Sequence, residues 1–165
     1  MRRILPLALM FLLLAATVQA AEVKKQLPGD PPLAETRKVL KTAVIKVEAQ
    51  GVPMNIAVVD AGGNLKAFMR QDDAFLGSID VATQKARTAR FFNMSTAQLD
   101  AASQPGKELY DIEVTNDGLA IFGGGELLVK DGLIVGAIGV SGGSVTEDTN
   151  VTKTGAAFES VKKNE

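Results

Sequence analysis

The stretch LAIFGGGELLVKDGLIVGAIGVSGG, residues 119–143, restricts the fold of this chain more than any other. Asp131-Gly132 between two apolar runs is a strong hairpin signal, because both central positions of a tight two-residue turn need positive φ. The runs on either side are therefore antiparallel neighbours, and a third strand is expected before Gly123-Gly124-Gly125. Upstream, MNIAVVDAGGNLKAFMR repeats the pattern, with strands flanking Asp60-Ala61-Gly62-Gly63-Asn64. Ile56 and Val58 point one way and Ala57 and Val59 the other, so this strand is covered on both faces and central.

The remaining segments read as helices. Val39, Leu40, Ala43, Val44 and Val47 recur at spacings of three and four. Asp30 is placed to cap this helix, and Gly51 and Pro53 end it. A second helix is expected to start at Ser78 as its cap, with Ile79, Ala82, Ala86 and Ala89 on its inner side and Ser78, Lys85 and Thr88 on another. Ser95 with Gln98 forms a capping box for a short third helix. The segment from Ser103 to Gly118 has no clear periodicity. TEDTNVTKTGAAFESVKK closes the chain as a helix with Val151, Gly155 and Phe158 inward; Glu147 and Asp148 near its start and Lys162 and Lys163 near its end suit the helix dipole. No alternating βαβ run occurs, so the expected class is α+β, a mostly antiparallel sheet with helices packed on it.

The first twenty residues have the plan of a secretory signal: Arg2 and Arg3, an apolar run, and Val18-Gln19-Ala20 as a cleavage site. The expected organisation is a signal peptide at 1–20, a linker at 21–32 and one domain at 33–165, located in the periplasm or outside the cell and not held in a membrane after cleavage. Removing Arg2 and Arg3 leaves 16 basic against 19 acidic side chains. A chain with only scattered lysines lacks the basic face that a nucleic-acid binder needs.

The chain has neither histidine nor cysteine. The usual zinc, copper and iron–sulfur sites and the histidine-dependent nucleophilic triads are thereby excluded, and no structural metal is expected. Candidate ligand-binding residues are Ser78 and Lys85 on the second helix, the glycines Gly123, Gly124 and Gly125, and the loop residues Ser141, Gly142 and Gly143. The amides of this last loop, ahead of a helix, could hold a carboxylate or could merely turn the chain. Lys85 could meet a ligand carboxylate or cover apolar neighbours with its stem; Asp80 and Arg70 are further polar candidates. Leu76, Ile79, Ile121 and Phe122 are candidate apolar walls.

VVDAGGNLKAFMRQDDAFLGSIDVATQKARTA, FGGGELLVKDGLIVGAIGVSGG and EDTNVTKTGAA, in that order, resemble the GlcG/HbpS family, the haem-binding or "haem-degrading" domain also found at the C-terminus of PduO-type proteins. The resemblance covers about Leu33 to Phe158. It implies a profilin-like domain with a five-stranded antiparallel sheet, homo-oligomeric assembly, and haem as ligand, with an extracytoplasmic sensor as partner of secreted members. Asn64 stands where the family often has His, and Glu126 where it often has Pro. If haem binds, Tyr110 is the candidate axial ligand to iron, since phenolate ligation is established chemistry and this is the single tyrosine. Two other readings remain open: an enzyme acting on haem or a small organic acid, for which Asp60, Asp80, Lys85, Tyr110 and Glu126 offer no recognisable acid/base pair, and a structural or regulatory homo-oligomer.

Overall fold

The computed structural model describes residues 27–158; the signal at 1–20 and the lysines at 162 and 163 lie outside them. Helix α1 (Leu33–Gln50) leads into the hairpin β1 (Asn55–Val59) and β2 (Leu65–Arg70). Helices α2 (Gly77–Phe92) and α3 (Thr96–Ser103) follow, then an irregular segment with one 3-10 turn at Ile112–Val114. The hairpin β3 (Gly125–Lys130) and β4 (Leu133–Ser141) and helix α4 (Val145–Ala156) complete the order.

Among the described residues the sheet has four antiparallel strands in the order β2-β1-β4-β3. β1 is buried throughout and central, as its two-sided apolar pattern requires. Asp131 and Gly132 both take positive φ at the β3–β4 turn. The expected fifth strand is absent among the described residues. Leu119 and Ala120 are buried, yet the Ala120 amide donates to the Thr88 hydroxyl at 3.2 Å instead of to a neighbouring strand. Its apolar residues alone made this stretch look like a strand.

Helices α1 and α4 cover one face of the sheet, where Val39, Ala43, Val47, Ile56, Val58, Leu128, Ile138, Val140, Val151 and Phe158 form the larger core. Helix α2 covers the other, against Ala57, Val59 and Ala137. This second layer is thin, since Ala82, Ala86 and Ala89 are its helical contacts and Gly139 lies beneath them. A Cβ on Gly139 would overlap the Ala82 carbonyl and come 2.5 Å from the Ala86 nitrogen. The helix thus rests almost on the backbone of β4.

Two helix starts differ from expectation. Pro32 occupies the cap position of α1 without a side-chain bond; Asp30 instead accepts from the Ala61 amide at 3.1 Å and pairs with Lys66 at 3.3 Å. Two prolines separate it from the first helical residue, so its carboxylate reaches the β1–β2 turn. Helix α2 begins at Gly77 with Leu76 preceding it, so Ser78 lies inside the first turn and caps nothing. The Ser95–Gln98 capping box is present. A second one, Ser144–Glu147, starts α4.

Candidate functional site

The inner face of α2 carries Ser78, Lys85 and Thr88 beside Ala82, Ala86 and Ala89, all buried. The sequence pattern separated the polar trio from the alanines because only apolar residues were counted as inward. Ile79, expected inward, is only partly buried.

Lys85 is the largest fully buried side chain among the described residues. Its Nζ donates to Asp148 Oδ2 at 2.7 Å and to the Val140 carbonyl at 3.0 Å, and lies 4.5 Å from the centroid of the Phe122 ring. The ammonium group thus has two hydrogen-bond acceptors and an aromatic ring as partners. Burial lowers the Lys85 pKa, opposed by the hydrogen bond and charge of Asp148; burial raises that of Asp148, opposed by Lys85 and by the Gly143 amide. Both groups thus resist ionisation and ionise because each has the other.

The glycine loops close around this pair. A Cβ on Gly124 would lie 2.7 Å from Lys85 Nζ, and one on Gly125 would lie 2.5 Å from the Lys85 carbonyl oxygen. The Gly125 amide donates to the buried Thr96 hydroxyl at 2.8 Å. In the loop after β4, the Gly143 amide donates to Asp148 Oδ1 at 3.1 Å and the Ser144 amide to Glu147 Oε2 at 2.8 Å. The carboxylates at this strand-to-helix turn are therefore the chain's own, contributed by the first turn of α4. Ser141 pairs with Asn55 across β4 and β1.

Lys85, Gly124, Gly125 and Gly143 are thus brought together. Asp148 joins them, a residue whose place in the sequence pointed only to the helix dipole. Its position one turn into the helix after a glycine loop was the available signal. Ser78 lies two turns along α2 from Lys85, its amide bonded to the Phe75 carbonyl. Tyr110 stands apart on the irregular segment, 55% exposed, and its hydroxyl makes no hydrogen bond among the described residues. Phe122 is 40% exposed; Phe75 and Leu76, just before α2, are about 70% exposed. Asn64 donates to Asp60 at the tip of the β1–β2 turn, beside a cleft of about 250 Å³ that includes Thr83, Arg87 and Phe91. Arg70 lines a larger cleft of about 480 Å³ with Glu48, Val52, Met69 and Asp72. Glu126, beside the glycine run, has its pKa raised by burial.

Helices on both faces of a single antiparallel sheet, with glycine loops folded over a buried lysine–aspartate pair, define a small α+β domain of one layered core. The description "Haem degrading protein HbpS-like" matches residues 32–157, and the chain belongs to that family. A 15.0 kDa protein from the dhaT-dhaS intergenic region of Citrobacter freundii is 39% identical over 74% of this chain and 87% of its own length. Among solved structures, Klebsiella pneumoniae ORFY superimposes with a TM-score of 0.77 at 31% identity, covering 85% of this chain and 98% of that one. The PduOC:heme complex superimposes with a TM-score of 0.75 at 34% identity, covering 78% and 94%.

Proposed function

We propose that this chain is an exported binding protein for haem or a similar flat anionic molecule, working as a homo-oligomer and serving a sensor or uptake system. The observation that carries the reading is the state of Tyr110. In a chain without imidazole or thiol, the single phenol is exposed and its oxygen has no partner among the described residues. That donor fits haem iron, for which phenolate is a suitable axial ligand. Iron held there would supply a strong visible absorption and a redox centre. Phe75 and Leu76 offer the kind of exposed apolar surface that a porphyrin covers. Haem bound to the family relative PduOC supports the same reading. Open edge strand β2, with Leu65 and Met69 exposed, supports assembly through that side.

Haemin titration of the purified chain tests this reading. A saturable Soret band at one haem per chain is expected, with the band shifted and affinity reduced at least tenfold in Tyr110→Phe. Unchanged spectrum and affinity in that variant would remove Tyr110 as ligand; absence of saturable binding in the parent would remove the haem reading itself.

A further inference from the structure

Between the Ala120 amide, held by the Thr88 hydroxyl, and Gly124, whose carbonyl accepts from the Val140 amide at 2.8 Å, the chain forms a short strap. Ile121, Phe122 and Gly123 lie on it, and none of their backbone groups is hydrogen-bonded among the described residues. Gly124 closes its end with φ of 111°, a conformation open to glycine and rarely to other residues. Phe122 is 40% exposed, and its ring centroid lies 4.5 Å from Lys85 Nζ. The buried amine thus lies against a partly exposed ring carried on a strap whose backbone is unbonded at 121–123 among the described residues.

We propose that Phe122 is a shutter over a reactive amine, and that Lys85 condenses with a small uncharged aldehyde or ketone when the strap opens. Charge balance selects this class of ligand. Lys85 and Asp148 already neutralise each other, so an entering carboxylate would leave one buried negative charge without a partner, at high cost. A neutral carbonyl compound adds no charge. Burial also favours the unprotonated amine, the nucleophilic form.

The chemistry balances without oxidant or reductant. Asp148 takes a proton from the ammonium, and the free Nζ lone pair attacks the carbonyl carbon to form the C–N bond. A proton passes from the newly bonded nitrogen to the former carbonyl oxygen, giving the neutral carbinolamine. Asp148 returns the proton to that hydroxyl, which leaves as water as the C=N bond forms. The proposal is independent of haem binding, since it uses neither Tyr110 nor the iron.

Butanal with cyanoborohydride provides the test, because reduction of the C=N bond fixes the adduct as a butyl group. The folded chain is treated with limiting butanal, and site occupancy is read by peptide mass mapping against the exposed Lys41 and Lys107. Lys85 is expected to be modified at least tenfold faster than either reference lysine. Phe122→Ala, with Phe122→Leu as a milder companion, should raise the Lys85 rate at least fivefold and leave the references unchanged. Lys85 remaining unmodified in the parent and both variants while Lys41 and Lys107 react would overturn the proposal. So would Lys85 modification that appears only above the urea unfolding midpoint.

Discussion

Replacing Asp148 with asparagine isolates the charge of the buried pair, because the amide oxygen can still accept from the Gly143 amide while the negative charge disappears. Lys85 then remains fully buried with the Val140 carbonyl and the Phe122 ring as partners. Removing one member of a buried ion pair costs about 3–5 kcal/mol. For a domain of this size, at about 3 °C per kcal/mol, the melting temperature should fall by about 10–15 °C. Removing the lysine as well leaves no buried charge, so Lys85→Met/Asp148→Asn should lie within about 2 kcal/mol of the parent. The pH dependence follows from the lysine. Its folded pKa is already below the ordinary value of 10.5, and losing Asp148 removes the influences that raise it. Between the folded pKa and 10.5 the unfolded chain then binds more protons than the folded one, so the stability of Asp148→Asn rises with pH across that window and its deficit is full below it. Urea unfolding at several pH values, with calorimetry on Asp148→Asn, Lys85→Met and the double variant, measures these effects. A loss below about 1 kcal/mol that stays flat with pH, or a double variant as damaged as the sum of the singles, would refute the reasoning.

Gly139→Ala forces a methyl group against the backbone of α2 at Ala82 and Ala86, neither of which is the end of a flexible side chain. A loss of about 3 kcal/mol, at the upper end of ordinary overpacking, is expected in denaturant titrations. Glu126→Gln should stabilise the fold by up to about 1 kcal/mol at pH 7. Burial raises the Glu126 pKa above 4.5, so the folded state holds the extra proton between 4.5 and the folded value; the penalty is complete above that window and absent below it. The gain measured for glutamine should accordingly vanish below pH 4.5.

The hairpins were readable because Asp131-Gly132 and the Asp60–Asn64 turn use local chemistry, and β1 was readable because both its faces are apolar. Capping at Ser95 was equally local. What escaped were decisions made across the fold. Leu119 and Ala120 are as apolar as a strand, but the partner of the Ala120 amide is a side chain on α2. Lys85 and Thr88 are polar and buried because distant groups receive them: the Thr88 hydroxyl takes the Ala120 amide, and the Lys85 amine finds Asp148 sixty-three residues later. No periodicity records such a partner. Asp30 was misassigned for the same reason, its acceptors being claimed by the β1–β2 turn. The site was therefore half legible. Its glycines and Lys85 could be named, while the carboxylate that gives them their arrangement could not.

The turn after β4 has a consequence for what dissolved salts can do. Asp148 and Glu147 sit on the Gly143 and Ser144 amides as tethered counter-ions. Free phosphate or sulfate would have to compete against an effective concentration set by a single helical turn. The domain thereby keeps this corner shut whatever the ionic composition around it, and selectivity toward small molecules falls to the parts of its surface that carry no built-in occupant.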